Sequence, residues 1–240
     1  MSRADFDVES LSRHLRMDPA QVARLAERGK LPGRRISGQW RFSQADIHHW
    51  WEERISGGTG AELATFESVL QDATDPAAEP LQSIADILPL EAIAVPLAAR
   101  TRTSVITSVV ELAVGTGLLW DGDKMEEAVR AREEVSPTAL DNGVALLHPR
   151  RPLAGILAQP LLALARTNQP LPFGHPRGVM TDIFFLLCSV DDASHLWVLA
   201  RLSRLMAVPG LLSELRSAED SRSARELLLD AEAEFAISTT

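Results

Sequence analysis

The chain has 240 residues, of which 45% are apolar and 24% are charged, and its formal net charge is −9 at neutral pH. This composition is typical of a folded protein with one or two domains. The single cysteine, Cys188, excludes a disulfide framework and a cysteine-rich zinc site, and we expect it to be a small buried hydrophobe. The first residues lack the apolar stretch of a secretion signal, and no run approaches the ~20 apolar residues of a membrane span, so we expect a cytoplasmic protein without membrane insertion.

The charge is distributed unevenly along the chain. Residues 1–56 carry ten Lys or Arg against eight Asp or Glu, whereas the rest carries 14 against 25. A mildly basic N-terminal part on an acidic remainder indicates a local polyanion site rather than a surface that coats nucleic acid generally.

The N-terminal part reads as two short helices joined by a tight turn. Apolar residues recur at helical spacing, which predicts helices over Val8–Leu15 and Pro19–Arg28. Asp18 is placed to cap the N-terminus of the second helix, with Pro19 at its first position. Gly29 is placed to terminate the same helix at its C-terminus.

A hairpin and a third helix are predicted next. Ile36, Trp40 and Phe42 favour strands, and Ser37-Gly38 between them predicts the turn. Ser43 then caps a helix whose apolar face holds three large residues, Ile47, Trp50 and Trp51.

Residues 57–84 read as a linker, because Gly57-Gly-Thr-Gly60 opens the segment and two prolines follow later. A short helix over Glu62–Leu70 is compatible with the pattern. We therefore divide the chain into residues 1–56, a linker over 57–84, and a second domain over 85–240.

Residues 85–235 alternate strand and helix patterns, which favours an α/β sandwich over a helical bundle. The predicted elements are a strand Ile93–Leu97, helices Ser104–Ala113 and Lys124–Glu134, a short strand Gly143–Leu147, a strand Asp182–Val190 buried on both faces, a helix capped by Ser194 that runs to Met206, and one or two helices over Gly210–Glu234.

The N-terminal domain resembles the winged helix-turn-helix domains of the excisionase and MerR type. The resemblance covers nearly all of residues 8–53, including the turn Arg16-Met-Asp-Pro19, the wing Gly33–Phe42 and the closing Asp46-Ile-His-His-Trp-Trp51. It implies that the second helix enters the major groove, where Gln21 and Arg24 reach base edges. Basic residues around the helix end and the wing would contact phosphates: Arg28, Lys30, Arg34, Arg35 and Arg41. The alternative is that these arginines form a solvated face of a protein-binding module.

Three segments of the second domain together resemble enzyme IIA of the fructose/mannitol class of the bacterial phosphotransferase system, including its nitrogen-related branch. They are Arg130-Ala-Arg-Glu-Glu-Val-Ser-Pro-Thr138, Asn142-Gly-Val-Ala-Leu-Leu-His148, and the strand Asp182–Val190 followed by Ser194-His-Leu-Trp-Val-Leu-Ala200. The resemblance covers residues 85–235 and implies a mixed-sheet α/β sandwich, fused to the small winged domain.

The resemblance also implies a phosphohistidine site. His148 would accept the phosphoryl group, Arg132 would clamp its oxygens, His195 would donate a hydrogen bond or orient His148, and Thr138 would add a hydroxyl. No metal or cofactor is required. The partner would be the histidine phosphocarrier protein, with an enzyme IIB or a regulatory target as a further partner, and the protein would act as a phosphoryl carrier rather than as a free-standing enzyme.

The surroundings of His148 depart from the family pattern. Leu147 precedes the histidine where the family usually has proline, and Pro149-Arg-Arg-Pro152 follows where it has glycine or alanine. Pro149 restricts the backbone, and Arg150 and Arg151 are suited to a phosphate or an acidic partner.

Together the two resemblances predict a DNA-binding regulator that is controlled by phosphorylation of His148. They are compatible with a homodimer. Two alternatives stay open. One is a phosphocarrier for sugar uptake that uses the N-terminal domain as an interaction module, and the other is an enzyme IIA-like sensor that is no longer phosphorylated.

Overall fold

The structure, a computed structural model, describes residues 5–15, 17–56, 62–64, 67 and 83–237. We call residues 5–56 the head and residues 83–237 the body. The helices and strands of the head are α1 (Val8–Leu15), α2 (Pro19–Glu27), β1 (Arg34–Ile36), β2 (Gln39–Arg41) and α3 (Gln44–Ser56). Those of the body are β3 (Ile93–Leu97), α4 (Arg102–Gly115), α5 (Gly122–Val135), β4 (Val144–Leu147), β5 (Leu161–Pro172), β6 (Met180–Cys188), α6 (Asp192–Leu205), α7 (Leu211–Ser217) and α8 (Ser221–Ile237).

The local signals of the head act as predicted. The Asp18 carboxylate accepts a hydrogen bond from the Ala20 N–H at 2.8 Å, and so caps α2. Gly29 follows that helix at a φ of +65°, a left-handed conformation that suits glycine. Ser37 and Gly38 both have positive φ, as a two-residue hairpin turn between β1 and β2 requires.

The body is built on a four-stranded mixed sheet in the order β3-β5-β6-β4. Strands β3 and β5 are parallel, β5 and β6 are antiparallel, and β6 and β4 are parallel. Pro96 lies in β3, an edge strand whose register shifts between Ala94 and Leu97, where a missing N–H donor is tolerated. The predicted mixed α/β fold is therefore confirmed.

Both faces of the sheet are covered, so the central strand β6 is apolar from Ile183 to Cys188. In β6, Ile183 and Phe185 face a core shared with α6, α7 and α8, while Phe184 and Leu186 face a second core under α4 and α5. Cys188 is buried with the second group, and burial raises the pKa of its thiol to about 12.

Two details of the body differ from the sequence prediction. Strand β5 was not predicted, although its N-terminal half, Leu161–Ala165, is wholly buried. Helix α6 begins at Asp192 and is capped by Asp191, whose carboxylate accepts from the Ser194 N–H at 2.8 Å; Ser194 is therefore inside the helix and is not its cap.

The head packs against the sheet face that carries α6. Leu11, Phe42 and Trp51 of the head belong to the same apolar cluster as Leu199 and Leu202 of α6. A hydrogen bond from the Gln44 side chain to Asp192 at 3.0 Å joins α3 to the start of α6. The sheet, α6 and α3 thus form successive layers, and the end of the sheet near α3 holds the site described below.

Most of the predicted linker lies outside the described residues. Residues 62–64 and 67 are helical, within the range of the short helix expected there. The buried carboxylate of Glu67 pairs with Arg204 at 3.2 Å and Arg201 at 3.3 Å, which ties this segment to α6. Among the helices that the structure describes, none has the length and apolar character needed to cross a membrane.

Candidate functional site

The sheet topology brings two histidines together. His148 directly follows β4, and His195 lies in the first turns of α6, after β6. Because β4 and β6 are parallel, their carboxyl ends meet at the same edge of the sheet. The two imidazole rings consequently lie 5.0 Å apart, inclined at 60°.

Main-chain contacts fix the orientation of His148. Its Nδ1 lies 2.8 Å from the carbonyl oxygen of Leu146, and a carbonyl can only accept, so Nδ1 is the donor. In the neutral ring the lone pair is therefore on Nε2, and His148 lines a pocket of about 420 Å³. His195 places Nδ1 3.2 Å from the Ser189 hydroxyl, which anchors the second ring from behind.

Arg132 brings a fixed positive charge to the same pocket. It lies in the last turn of α5, where its Nη1 donates to the Ser136 carbonyl at 2.7 Å. This bond anchors the guanidinium and leaves Nη2 directed towards the histidines. The side chain is only 10% exposed, so little water screens its charge.

Thr138 lies at the pocket but turns its hydroxyl away from it. The segment that contains Thr138 runs beside β4, where the Thr138 carbonyl accepts from the Leu146 N–H at 3.4 Å. The Thr138 hydroxyl and its N–H both bond to the buried carboxylate of Glu133, which also accepts from Arg102 at 3.0 Å. In this conformation Glu133 takes the one proton that the hydroxyl has to donate, and sequence reasoning had assigned Glu133 no role.

The sequence analysis also missed Glu52, a residue of the head. Its carboxylate lies between the three predicted groups, with Oε1 3.3 Å from His148 Nε2 and 3.7 Å from His195 Nε2, and with Oε2 3.3 Å from Arg132 Nη2. The sequence around Glu52, two histidines and two tryptophans, gave no sign of this role. The remaining pocket lining comes from both domains: His49, Ser136, Pro137, Leu140, Leu146 and Leu199.

The site is covered from solvent. His148 is 3% exposed, His195 1% and Glu52 6%. A buried carboxylate is stable only when it is paired, and here the Arg132 guanidinium donates to it. Because Nδ1–H of His148 already donates to the Leu146 carbonyl, His148 pairs with the carboxylate only when its Nε2 carries a proton as well. The arrangement is thus an anion-binding centre whose anion, in this conformation, is a side chain.

The same side chains could also hold a metal ion. Glu52, His148 and His195 offer three ligand atoms within 4.8 Å of one another, and zinc accepts this donor set. Against this stands the guanidinium of Arg132, 3.3 Å from the same carboxylate, because a second cation there would be repelled. The chemistry of the pocket therefore favours an anion.

The residues around His148 that depart from the family pattern differ in their exposure. Leu147 is fully buried under α4 and α5. Arg150 and Arg151 are exposed and line a second pocket of about 330 Å³, together with Gln44 of the head and Asp191 and Asp192.

Most of the residues predicted to contact DNA are exposed. Six of them are exposed, and Arg41 is half-buried; the exposed six are Gln21, Arg24, Arg28, Lys30, Arg34 and Arg35. Two of the arginines have acidic neighbours, since Arg34 pairs with Asp5 at 2.7 Å and Arg35 with Glu27 at 3.5 Å. The six exposed side chains remain accessible to solvent while the head is docked against the body.

Comparison with known proteins assigns a family to each domain. Residues 86–231 match the family model described as "Phosphoenolpyruvate-dependent sugar phosphotransferase system, EIIA 2", and residues 6–55 match a model described as a helix-turn-helix domain. These matches agree with the two resemblances seen in the sequence.

Individual relatives match the body. A fructose-specific EIIA component from Haloferax volcanii is 24% identical over 149 residues, which are 61% of this chain and 95% of the relative. A nitrogen regulatory protein from Bradyrhizobium diazoefficiens is 31% identical over 104 residues, 42% of this chain and 66% of the relative. The crystal structure of the nitrogen regulatory protein IIA-Ntr from Neisseria meningitidis superposes with a TM-score of 0.55 at 25% identity, covering 60% of this chain and 98% of that protein.

Proposed function

The chain belongs to the EIIA 2 family of the phosphoenolpyruvate-dependent sugar phosphotransferase system, and from this membership we propose that it is a DNA-binding regulator whose body accepts a phosphoryl group on His148. One observation carries the proposal. Arg132, His148 and His195 come from three separate parts of the body and converge on one buried anion, the Glu52 carboxylate.

The geometry of His148 suits nucleophilic attack. The bond from Nδ1–H to the Leu146 carbonyl leaves the Nε2 lone pair directed into the pocket and stabilises the positive charge that the ring acquires on attack. As the new bond from Nε2 to phosphorus forms, the phosphorus–nitrogen bond of the donor's phosphohistidine breaks, and the donor imidazole leaves with that electron pair.

Arg132 and His195 would neutralise the negative charge of the transferred phosphoryl group. Catalysis of phosphoryl transfer is mostly positioning and charge stabilisation, so a guanidinium held by the Ser136 carbonyl is well placed to bind the phosphoryl oxygens. The Nε2 of His195 faces the same point and would donate a second hydrogen bond. The proposed donor is the histidine phosphocarrier protein, so the proposal requires the protein to act in the cytoplasm.

The head supplies the proposed DNA-binding activity. Helix α2 presents Gln21 and Arg24 on an exposed surface, and the basic residues of the wing lie beside them. Such an arrangement suits a helix in the major groove with phosphate contacts on either side. Two modules on one chain favour a regulator, in which the phosphorylation state of the body changes DNA binding by the head.

Intact-mass spectrometry tests the first half of the proposal. The full chain is incubated with phosphoenolpyruvate, enzyme I and the histidine phosphocarrier protein, beside a His148→Ala variant. We expect a single acid-labile phosphoryl adduct on the wild type and none on the variant. An adduct that persists in His148→Ala, or no adduct on either folded wild type or folded Glu52→Gln, would contradict the assignment.

The second half is tested by DNA binding. Affinity for DNA fragments selected from random sequence is measured with phosphorylated and unphosphorylated protein. Identical affinities would exclude control of the head by phosphorylation and would favour a phosphocarrier with the head as an interaction module.

A further inference from the structure

A side chain of the head occupies the pocket in which the body would hold a phosphoryl group. The Glu52 carboxylate contacts the charged or polar atoms of all three phosphoryl-site residues at 3.3–3.7 Å. A carboxylate oxygen 3.3 Å from His148 Nε2 leaves no room for a phosphorus atom bonded to that nitrogen. The two anions therefore compete for one place.

Helix packing holds Glu52 in this position. Ile47, Trp51 and Ile55 follow one another at i, i+4 spacing on α3, and all three are buried in the cluster shared with the body. Glu52 lies beside this apolar stripe and so points into the body wherever the stripe is docked. The Gln44–Asp192 hydrogen bond fixes the other end of the helix.

The docked head also closes the route to the nucleophile. His148 is 3% exposed, and a protein donor must bring its own phosphohistidine into line with Nε2. His49 and Glu52 of α3 line the pocket beside His148. A protein donor therefore reaches Nε2 only after the head has moved away.

Resting on the proposed function, we infer that Glu52 is an internal substitute for the phosphoryl group, so that docking of the head and phosphorylation of His148 exclude each other. A phosphoryl group on His148 would place two or more negative oxygens against the Glu52 carboxylate, in a site too dry to screen the repulsion. By linkage, docking weakens phosphorylation by the same factor as phosphorylation weakens docking. Phosphorylation thus releases the head from the body.

The first test compares initial rates of His148 phosphorylation by the phosphorylated carrier protein. Glu52→Gln removes the competing charge but keeps the shape of the side chain, and we expect a rate increase of about tenfold or more, as for the loss of a buried ion pair. Asp46→Asn is the matched control, because Asp46 is an exposed acid in the first turn of the same helix, and its rate should equal that of wild type. EDTA in all assays removes any metal bridge between Glu52 and the histidines.

The second test measures docking without any phosphoryl transfer. Gln44→Cys and Asp192→Cys are joined by a short bis-maleimide, and the buried Cys188 does not compete. In this background, His148→Glu places a fixed negative charge opposite Glu52, whereas His148→Gln does not. We expect the cross-linking yield to fall at least about fivefold for His148→Glu alone.

The outcomes separate the two proposals. If the phosphoryl adduct forms at equal rates in wild type and Glu52→Gln, the inference is overturned and the proposed function stands. The same holds if the cross-linking yields of His148→Glu and His148→Gln are equal. No adduct on any folded variant, Glu52→Gln included, overturns the proposed function and, with it, competition at His148. A cross-linked chain that is phosphorylated as fast as the free one likewise overturns the inference.

Discussion

Thr138 illustrates how a residue can lie at a site and still act through a neighbour. Its hydroxyl and its N–H both bond to Glu133, which is 2% exposed and also accepts from Arg102. The resulting cluster holds the turn at Pro137 beside β4. We therefore expect Thr138 to act as a positioning residue, whereas the sequence resemblance predicts direct contact with the phosphoryl group.

Replacing Thr138 distinguishes these roles. We expect Thr138→Val to lower the free energy of unfolding by about 1–3 kcal/mol, because the buried Glu133 carboxylate loses a donor. Phosphorylation of His148, measured well below the unfolding transition, should change little, whereas loss of a direct donor to the transferred group would cost about 100-fold or more. Urea unfolding and phosphorylation rates are measured on both Thr138→Val and Thr138→Ser, and the serine variant should retain wild-type stability.

Three of the site residues were within reach of the sequence, and the fourth was not. Arg132, His148 and His195 belong to segments of one domain whose order and spacing resemble a family, and the parallel pairing of β4 and β6 brings the two histidines together. Glu52 belongs to another domain, 80 residues before Arg132 and 96 before His148. Its position depends on how the head docks on α6, which no local pattern specifies.

At the scale of elements, the turn before β4 determines how that strand enters the sheet. Gly143 has a φ of +83°, and its carbonyl accepts from the N–H groups of Asp182 and Ile183 in β6. A Cβ at this position would lie 2.8 Å from Arg216 Nη2 and 3.2 Å from the Met180 carbonyl oxygen. The Arg216 side chain cannot move away freely, because it bonds to Asp182 and to the Asn142 carbonyl.

Gly143→Ala should therefore combine two costs, the left-handed backbone and the steric contact, and lower the free energy of unfolding by about 2–4 kcal/mol. Gly117→Ala isolates the first cost, since Gly117 has a φ of +73° with nothing within 4 Å of its Cβ position, and it should cost about 1–2 kcal/mol. Urea unfolding of both variants measures the difference. Equal losses would mean that the Arg216 contact relaxes without cost.

Strands β6 and β5 differ in how clearly polar residues mark the ends of their apolar segments, and only β6 was predicted from the sequence. Strand β6 was found because its apolar run has polar residues at both ends. Strand β5 was missed because its apolar half, Leu161–Ala165, continues a longer apolar stretch across Pro160, and its other half, from Arg166, is mostly polar. That polar half is extended because its last residues pair with the start of β6 across the connection 173–179, a pairing that its own sequence pattern does not show.

At the scale of the molecule, the charge distribution bears on how the protein meets a polyanion. Residues 1–56 carry ten basic residues against eight acidic ones, while the rest of the chain carries 25 acidic against 14 basic ones. The proposed DNA binding therefore requires a small basic surface to overcome the repulsion between the acidic body and the DNA phosphates. Such binding falls steeply with salt, because each phosphate contact releases counterions.

Single arginine variants count these contacts. We expect Arg28→Ala to reduce the slope of log affinity against log salt by about 0.9, the value for one phosphate contact on duplex DNA, because Arg28 is exposed at the end of the proposed recognition helix. Arg100→Ala, an exposed arginine of the body, should leave the slope unchanged. Fluorescence anisotropy with a labelled duplex of arbitrary sequence gives both slopes, since the phosphate contribution does not depend on the operator. Equal slopes for the two variants would remove Arg28 from the DNA interface, and no binding by wild type at low salt would contradict DNA binding and favour the protein-binding alternative for the head.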